Sequence, residues 1–227
     1  MKRLLISLLA VIGSMNTVSA GEANFGAEPY EMGKGILGIE GWQARLAGDE
    51  SRTIAQIVKV RWDEDKPALM LKGASLKNAE IKVPHDQDRM TFSCQLAFNL
   101  TSRKVADRPL RLHIGAAPFN EIYFDRSETG GLGFGGDGGG RKGGTLMLPR
   151  EEVKLNSFYQ LSAVIDYANG TYTIELTGTK RDGTPLQYRS EEVAFEVTPA
   201  LRNSMGQINY FISAPVMTVY VRDLKIE

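Results

Sequence analysis

The sequence has few residues that could build a redox, zinc or disulfide site. It contains one cysteine, Cys94, and two histidines, His85 and His113. A single cysteine cannot form a disulfide within the chain, and the histidines show no HxH or HExxH spacing that would hold zinc. We therefore expect the fold to depend on burial of apolar side chains.

An excess of charge of one sign is also missing. The chain has 27 Lys and Arg residues against 27 Asp and Glu residues, and no long run of either sign. Because nucleic acids are bound through concentrated basic patches, we predict no nucleic-acid partner.

Apolar runs long enough to span a membrane are absent as well. The apolar stretch Leu4–Gly13 follows Met1-Lys-Arg and precedes Val18-Ser-Ala20, the pattern of a cleaved, bacterial-type export signal. About ten apolar residues are too few for a bilayer core, which needs roughly twenty. We predict a signal peptide at 1–20, a mature domain at 21–227 and a secreted or periplasmic location.

Helical periodicity is scarce, and alternation with a period of two takes its place. In Met90–Asn99, apolar residues and Cys94 occupy every second position, which is typical of a strand with one face on a core. Asn169-Gly170, between Leu161–Tyr167 and Thr171–Leu176, predicts a hairpin with a type I′ turn. We expect an all-β sandwich in which Cys94 is a buried, inert thiol.

A glycine-rich run, ETGGLGFGGDGGGRKGG at Glu128–Gly144, contains GxGxxG twice. In a dinucleotide site such a loop leads into a helix, whose N-terminus binds the pyrophosphate. Here a short apolar stretch follows and ends at Pro149. We interpret the run as an excursion at the edge of a sheet and predict no nucleotide partner.

Three segments resemble the concanavalin A-like lectin and glucanase superfamily, particularly its laminin-G-like modules. Asn156–Leu176 resembles a pair of adjacent strands, while Pro29–Gly38 with Gly41-Trp42 and Val219–Glu227 resemble the first and last strands, which lie beside each other. The resemblance implies a jelly-roll sandwich of two antiparallel sheets. Since the superfamily contains lectins, glycan-cleaving enzymes and adhesion modules, the fold leaves the activity open.

The catalytic motif of the related laminarinase-type hydrolases, ExDxxE, is broken here. The nearest stretch, Glu121–Arg126, has Tyr123 and Arg126 at the second and third motif positions. Glu121 and Asp125 are roughly 13 Å apart along a strand, farther than either glycosidase class requires. We therefore favour a non-catalytic protein. A carboxylate from a neighbouring strand, or a lyase using Tyr and His as base and acid, stays open.

A candidate binding face arises if Leu110–Gly115 and Glu121–Asp125 form a hairpin. One face would then collect its polar residues: Arg111, His113, Glu121, Tyr123 and Asp125. Planar donors, acceptors and an aromatic ring suit a sugar, although a solvated face with cross-strand charge pairs is the alternative. We expect Trp62, next to acidic residues 63–65, to be exposed and to join the ligand-binding set.

Calcium is a candidate ligand at one position. In related glucanases an aspartate on the last strand helps to hold a structural calcium, and the resemblance implies the same role for Asp223. Its alternative role is to end the buried alternation with a hydrogen-bonded polar residue.

These observations predict a secreted lectin-like module that binds a polysaccharide or a cell-surface glycan. Two alternatives stay open, namely a glycan hydrolase or lyase with an atypical site, and a structural or protein-interaction domain.

Overall fold

The structure is a computed structural model. It describes residues 22–44, 53–78, 88–100, 110–114, 121–125, 131–135, 146–149, 151–194, 196–199, 208–212 and 217–227. Between 110 and 149 and at 208–212, the description covers the backbone and its pairing. The signal peptide predicted at 1–20 lies outside the described residues.

The described residues form sixteen strands. In chain order they are β1 (Glu22–Ala23), β2 (Trp42–Ala44), β3 (Ile54–Val60), β4 (Lys66–Lys72), β5 (Ser75–Asn78), β6 (Arg89–Leu100), β7 (Leu110–Ile114), β8 (Glu121–Asp125), β9 (Gly131–Gly135), β10 (Leu146–Pro149), β11 (Tyr159–Asp166), β12 (Thr171–Thr179), β13 (Pro185–Arg189), β14 (Val193–Ala194), β15 (Ile208–Ile212) and β16 (Met217–Ile226).

The strands form two antiparallel sheets. The nine-stranded sheet has the order β13-β12-β11-β6-β16-β4-β3, with β1 paired to β16 and β14 paired to β12. The seven-stranded sheet has the order β10-β9-β8-β7-β15-β5-β2. The predicted all-β jelly roll of two antiparallel sheets is confirmed.

The core lies between the sheets. On β6, Phe92 and Phe98 are fully buried, and they share one cluster with Trp42 and Leu76 of the seven-stranded sheet. Burial of each such side chain stabilises the fold by about 1.5–3 kcal/mol. Cys94 is buried on the same side of β6, as the alternation predicts.

The hairpin at Asn169-Gly170 is confirmed, but the predicted type I′ turn is wrong. The last pair of β11 and β12 joins Asp166 to Thr171, which leaves a four-residue loop at 167–170. Gly170 has φ of 63°, whereas Asn169 is outside the left-handed region. The Asp166 carboxylate stabilises this longer loop, because it accepts hydrogen bonds from the Asn169 backbone and side-chain amides at 2.9 Å each.

The chain ends of the described part are neighbours, although not through the segment expected. Strand β1 pairs with β16, with Glu22 opposite Lys225. The segment Pro29–Gly38 forms turns and one bridge, between Gly35 and Gln56, so the expected first strand there is wrong. The pairing of β16 with β6 shifts register between Arg222 and Lys225, a bulge that bends the strand.

Candidate functional site

Strands β7 and β8 form the hairpin on which the candidate face depends. Arg111 lies opposite Tyr123, and His113 lies opposite Glu121. Asp125 is two residues beyond Tyr123, and alternate residues of a strand share a face. The register therefore places all five predicted residues on one face of the seven-stranded sheet.

That face is the outer one. Strand β15 joins β7 to β5, with Asn209 opposite both His113 and Lys77. Strand β2 continues the row, with Gln43 opposite Lys77. Gln43 is exposed and Lys77 is half-buried, whereas Leu76, on the other face, is fully buried. Residues opposite one another across a sheet lie on the same face, so this row lies on the side away from the core.

The register adds residues to this face that the sequence did not reveal. Phe211 lies opposite Arg111 on one side and Ser75 on the other, and Asn209 and Lys77 occupy the adjacent row. The alternation within β15 is visible in the sequence, but no local pattern indicates that β15 lies between β7 and β5. The face therefore has one further aromatic residue, Phe211, and two further amides, Asn209 and Gln43.

The glycine-rich run supplies the next strand, β9, and β10 follows the run in the sequence. Three glycines are in register with the acidic and aromatic residues of β8: Gly131 with Asp125, Gly133 with Tyr123, and Gly135 with Glu121. The expected excursion thus contains one strand, β9, which lies second from the sheet edge, beside β10. On the outer face, these positions of β9 have only hydrogen atoms in place of side chains.

Carboxylates on the outer face remain far apart along β8. The residues opposite Glu121 are His113 on β7 and Gly135 on β9. Among the described strands, no carboxylate of a neighbouring strand lies opposite Glu121. The register thus gives Glu121 a histidine as its cross-strand partner.

Trp62 does not lie with the other five residues. It is half-buried in the turn between β3 and β4, with its ring 5.2 Å from the Phe158 ring and 5.7 Å from the Tyr220 ring. Tyr220 lies opposite Ala97 on the outer face of the nine-stranded sheet, and Ala97 is fully buried. The aromatic cluster of Trp62, Phe158 and Tyr220 is therefore a small apolar layer on the opposite side of the sandwich.

Trp42 belongs to the core instead. Its Nε1 donates a hydrogen bond to the Tyr30 hydroxyl at 3.1 Å, and that hydroxyl donates to Glu40 Oε2 at 2.6 Å. Burial, followed by the bond to Glu40, raises the pKa of Tyr30. The hydroxyl thus remains a donor to the carboxylate, and the network anchors the turns before β2.

Arg222 and Asp223 line a groove on the outer face of the nine-stranded sheet, at the bulge of β16. The groove, which we call the Arg222 groove, has a volume of about 360 Å³. Its lining residues are Asn24, Phe25, Gly26, Lys66, Pro67, Gln95, Arg222 and Asp223.

Calcium fits the described residues of this groove poorly. Asp223 is exposed, with φ of 50°, and is the one carboxylate in the groove's described lining. Calcium takes six to eight oxygen ligands, whereas Lys66 and Arg222 bring positive charge to the same space. Within the described part of the chain, no three His, Cys, Asp or Glu side chains come together as a metal site.

The described residues contain no helix long and apolar enough to cross a membrane. Neither a protein-family model nor a curated protein sequence matches the chain.

Solved structures do match. The catalytic domain of the glycoside hydrolase family 131 protein from Coprinopsis cinerea is 14% identical, with a TM-score of 0.51 and coverage of 82% of each chain. Lectin I from Ulex europaeus, in complex with the methyl glycoside of α-L-fucose, is 13% identical, with a TM-score of 0.47 and coverage of 82% of this chain and 90% of the lectin. Lectin I-B4 from Griffonia simplicifolia is 10% identical, with a TM-score of 0.44 and coverage of 81% and 96%. The resemblance in the sequence and the match to the hydrolase domain agree on one conclusion: the chain has a concanavalin A-like jelly-roll fold.

Proposed function

We propose that this protein is a secreted lectin-like module that binds a polysaccharide or a cell-surface glycan on the outer face of its seven-stranded sheet. The observation that carries the proposal is the register of β7 and β8, with Arg111 opposite Tyr123 and His113 opposite Glu121. Residues directly opposite each other have Cβ atoms about 4.5–5.5 Å apart, so the four form one compact group.

The residue types of this face suit sugar hydroxyls and sugar rings. Arginine offers a planar fork of donors and carboxylates accept hydrogen bonds, while tyrosine offers an aromatic face and a hydroxyl. On β15, the strand beside β7, Asn209 lies opposite His113 and adds an amide that both donates and accepts. A glycan chain lying across the strands would meet these groups in succession.

Retention on immobilised polysaccharides tests the proposal. The mature protein is passed over a panel of neutral and acidic polysaccharides, and we expect at least one to retain it. Arg111→Ala and Tyr123→Ala should each weaken retention about tenfold or more, whereas Tyr123→Phe should retain more affinity than Tyr123→Ala because it keeps the ring. Arg189→Ala, on the exposed surface of β13, is the matched control. Retention that is unchanged in the Arg111 and Tyr123 variants would contradict the proposal.

A catalytic function is the second candidate, and the position of His113 opposite Glu121 is the observation that favours it. Such a pair could serve acid–base chemistry on a glycan. The same panel is therefore assayed for new reducing ends and for unsaturated products. Products that disappear in His113→Ala and Glu121→Gln would establish an enzyme and reject a purely binding role; retention without products supports the binding module. Loss of all retention across a broad panel would favour a protein-interaction domain.

Export is part of the proposal and has a test of its own, as does the calcium role that the sequence suggested for Asp223. The full chain expressed in a bacterium should leave the cytoplasm and begin at about Gly21, as N-terminal sequencing would show. Calcium held at Asp223 would raise the melting temperature of the mature protein, and Asp223→Asn would remove that increase. An unchanged melting temperature with calcium and with a chelator would reject the ion.

A further inference from the structure

The Arg222 groove lies on the side of the sandwich opposite the proposed glycan face. Gln95 lies between the buried Cys94 and Leu96 on β6 and is in register with Arg222 on β16, so both residues lie on the outer face of the nine-stranded sheet. The groove's volume of about 360 Å³ falls within the range of small-molecule sites. It can hold a short segment of a ligand.

The guanidinium in the groove is held in place from three directions. Arg222 Nε donates to Gln95 Oε1 at 2.7 Å, Arg222 Nη1 donates to Asp63 Oδ2, and the guanidinium carbon lies 3.8 Å from the centre of the Phe158 ring. A group fixed in this way loses little conformational freedom when a ligand arrives. Arginine also presents more donors than these two bonds use.

The charges around the groove nearly balance. Asp63 pairs with Arg222, and Glu64 pairs with Lys66 at 3.0 Å. Asp223 adds a carboxylate to the lining. The cluster therefore has no surplus of positive charge to select a phosphate or a sulfate, and its two cations disfavour a metal ion.

The polar and apolar groups that line the groove suit a sugar. Donors from Arg222 and Lys66 stand beside acceptors from Asp223 and Gln95, and Pro67 gives an apolar wall. Uncharged hydroxyl groups need donors and acceptors together, while the C–H face of a sugar ring needs an apolar surface.

We propose that the Arg222 groove binds a neutral sugar unit and is a second glycan site, separate from the outer face of the seven-stranded sheet. The inference does not depend on that first site, since no residue is shared between them.

Trp62 provides a reporter for this groove. The chain has two tryptophans, and the other, Trp42, is fully buried in the core. The Trp62 ring packs against the Phe158 ring at 5.2 Å, and the Arg222 guanidinium lies over that Phe158 ring. We expect titration with short neutral oligosaccharides of the laminari-, cello-, xylo- and manno-series to change tryptophan fluorescence. The change should disappear in Trp62→Phe, while calorimetry still detects binding.

The decisive variant combines Lys66→Ala with Asp223→Asn, because both side chains are exposed and asparagine tolerates positive φ. We expect its affinity in the fluorescence titration to fall at least tenfold. Arg189→Ala combined with Glu175→Gln removes one positive and one negative charge from an ion pair elsewhere on the same sheet, and its affinity should equal that of the parent. Arg111→Ala with Tyr123→Ala should leave the fluorescence titration unchanged even though it weakens retention on polysaccharides.

Three results would overturn the proposal, provided that thermal melts show each variant folded. They are equal affinity in the Lys66 and Asp223 double variant, a fluorescence change produced by calcium alone, and the absence of binding across the whole panel.

Discussion

Cys94 shows how completely strand periodicity can determine the environment of one side chain. It lies on the inner side of β6 with no exposed surface, and burial raises the pKa of its thiol. The thiolate is the reactive form. We expect a thiol reagent to label the folded protein far more slowly than the denatured protein, which should react fully at its one cysteine. Rapid labelling under native conditions would contradict the burial of β6.

Gly178 is a position where a single methyl group would disturb the core. A Cβ atom there would lie 2.7 Å from Cδ1 of the fully buried Tyr159 ring. The Tyr159 hydroxyl accepts a hydrogen bond from the Lys154 amide at 2.7 Å, which restrains the ring. Gly178→Ala should lower the free energy of unfolding by about 1–3 kcal/mol, the usual cost of overpacking.

Chemical denaturation measures this loss, with Thr177→Ala on the exposed side of β12 as the control. Replacing Tyr159 by Leu in the Gly178→Ala background should reduce the extra cost, because the contact is then gone. Equal stability of Gly178→Ala and the parent would reject the contact.

The burial of the two tryptophans could not be predicted from the sequence. Trp42 and Trp62 are equally aromatic in the sequence, yet one is fully buried and the other half-buried among Phe158 and Tyr220. Exposure depends on which elements pack above a residue, and Phe158 is far from Trp62 along the chain. The sequence therefore could not show that Trp62 lies apart from the other residues of the predicted ligand-binding set.

At the scale of the element, the turn between β11 and β12 gives a dependence on pH. Hydrogen bonds from the backbone amide of Asn169, and then from its side chain, lower the pKa of Asp166 below 3.8. A carboxyl group with a lowered pKa stabilises the fold above its unfolded pKa and loses that contribution as the pH falls through its folded value. Asp166→Asn should thus destabilise the protein at neutral pH, and the difference should shrink in acid.

Melting temperatures of the parent and Asp166→Asn between about pH 6 and pH 2 measure this difference. Glu151→Gln, at an exposed carboxylate elsewhere, is the control. A gap between parent and variant that stays constant across this range would contradict the assignment.

Strands with a strong local pattern could be predicted from the sequence, whereas the order of the strands in each sheet could not. The alternation predicts strands at Leu110–Gly115 and Glu121–Asp125, within one residue of the observed bounds. Through the hairpin it also leads to the pairs of Arg111 with Tyr123 and His113 with Glu121. The glycine run has little side-chain pattern, so strand β9 appeared only in the structure. The position of β15 beside β7 depends on packing of the whole sheet, which no local pattern contains.

At the scale of the molecule, the two proposed glycan sites lie on opposite faces of one sandwich. A single protomer with two such sites can hold two glycan chains at once and so raise apparent affinity for a dense matrix. With a soluble polysaccharide that retains the protein, the parent should form light-scattering networks. Variants lacking one site should bind without forming them.

Light scattering of the protein alone is the control, because a stable dimer could bridge chains with one site per protomer. Networks formed equally by the Arg111 with Tyr123 and the Lys66 with Asp223 double variants would contradict the two-site arrangement.

At the glycine positions of β9, a residue that would stabilise the sheet better would also occupy space proposed for the ligand. Gly131, Gly133 and Gly135 are poor residues for a strand, so natural variation towards valine would strengthen this part of the sheet. The same change would raise a ridge beside Tyr123, where a polymer is proposed to lie. Gly133→Val should therefore increase resistance to denaturant while weakening retention on polysaccharides, and a variant that gains both would show that this bare strand serves another purpose. If Gly133→Val has both effects, the glycines of β9 are retained for function at the expense of the stability of the strand.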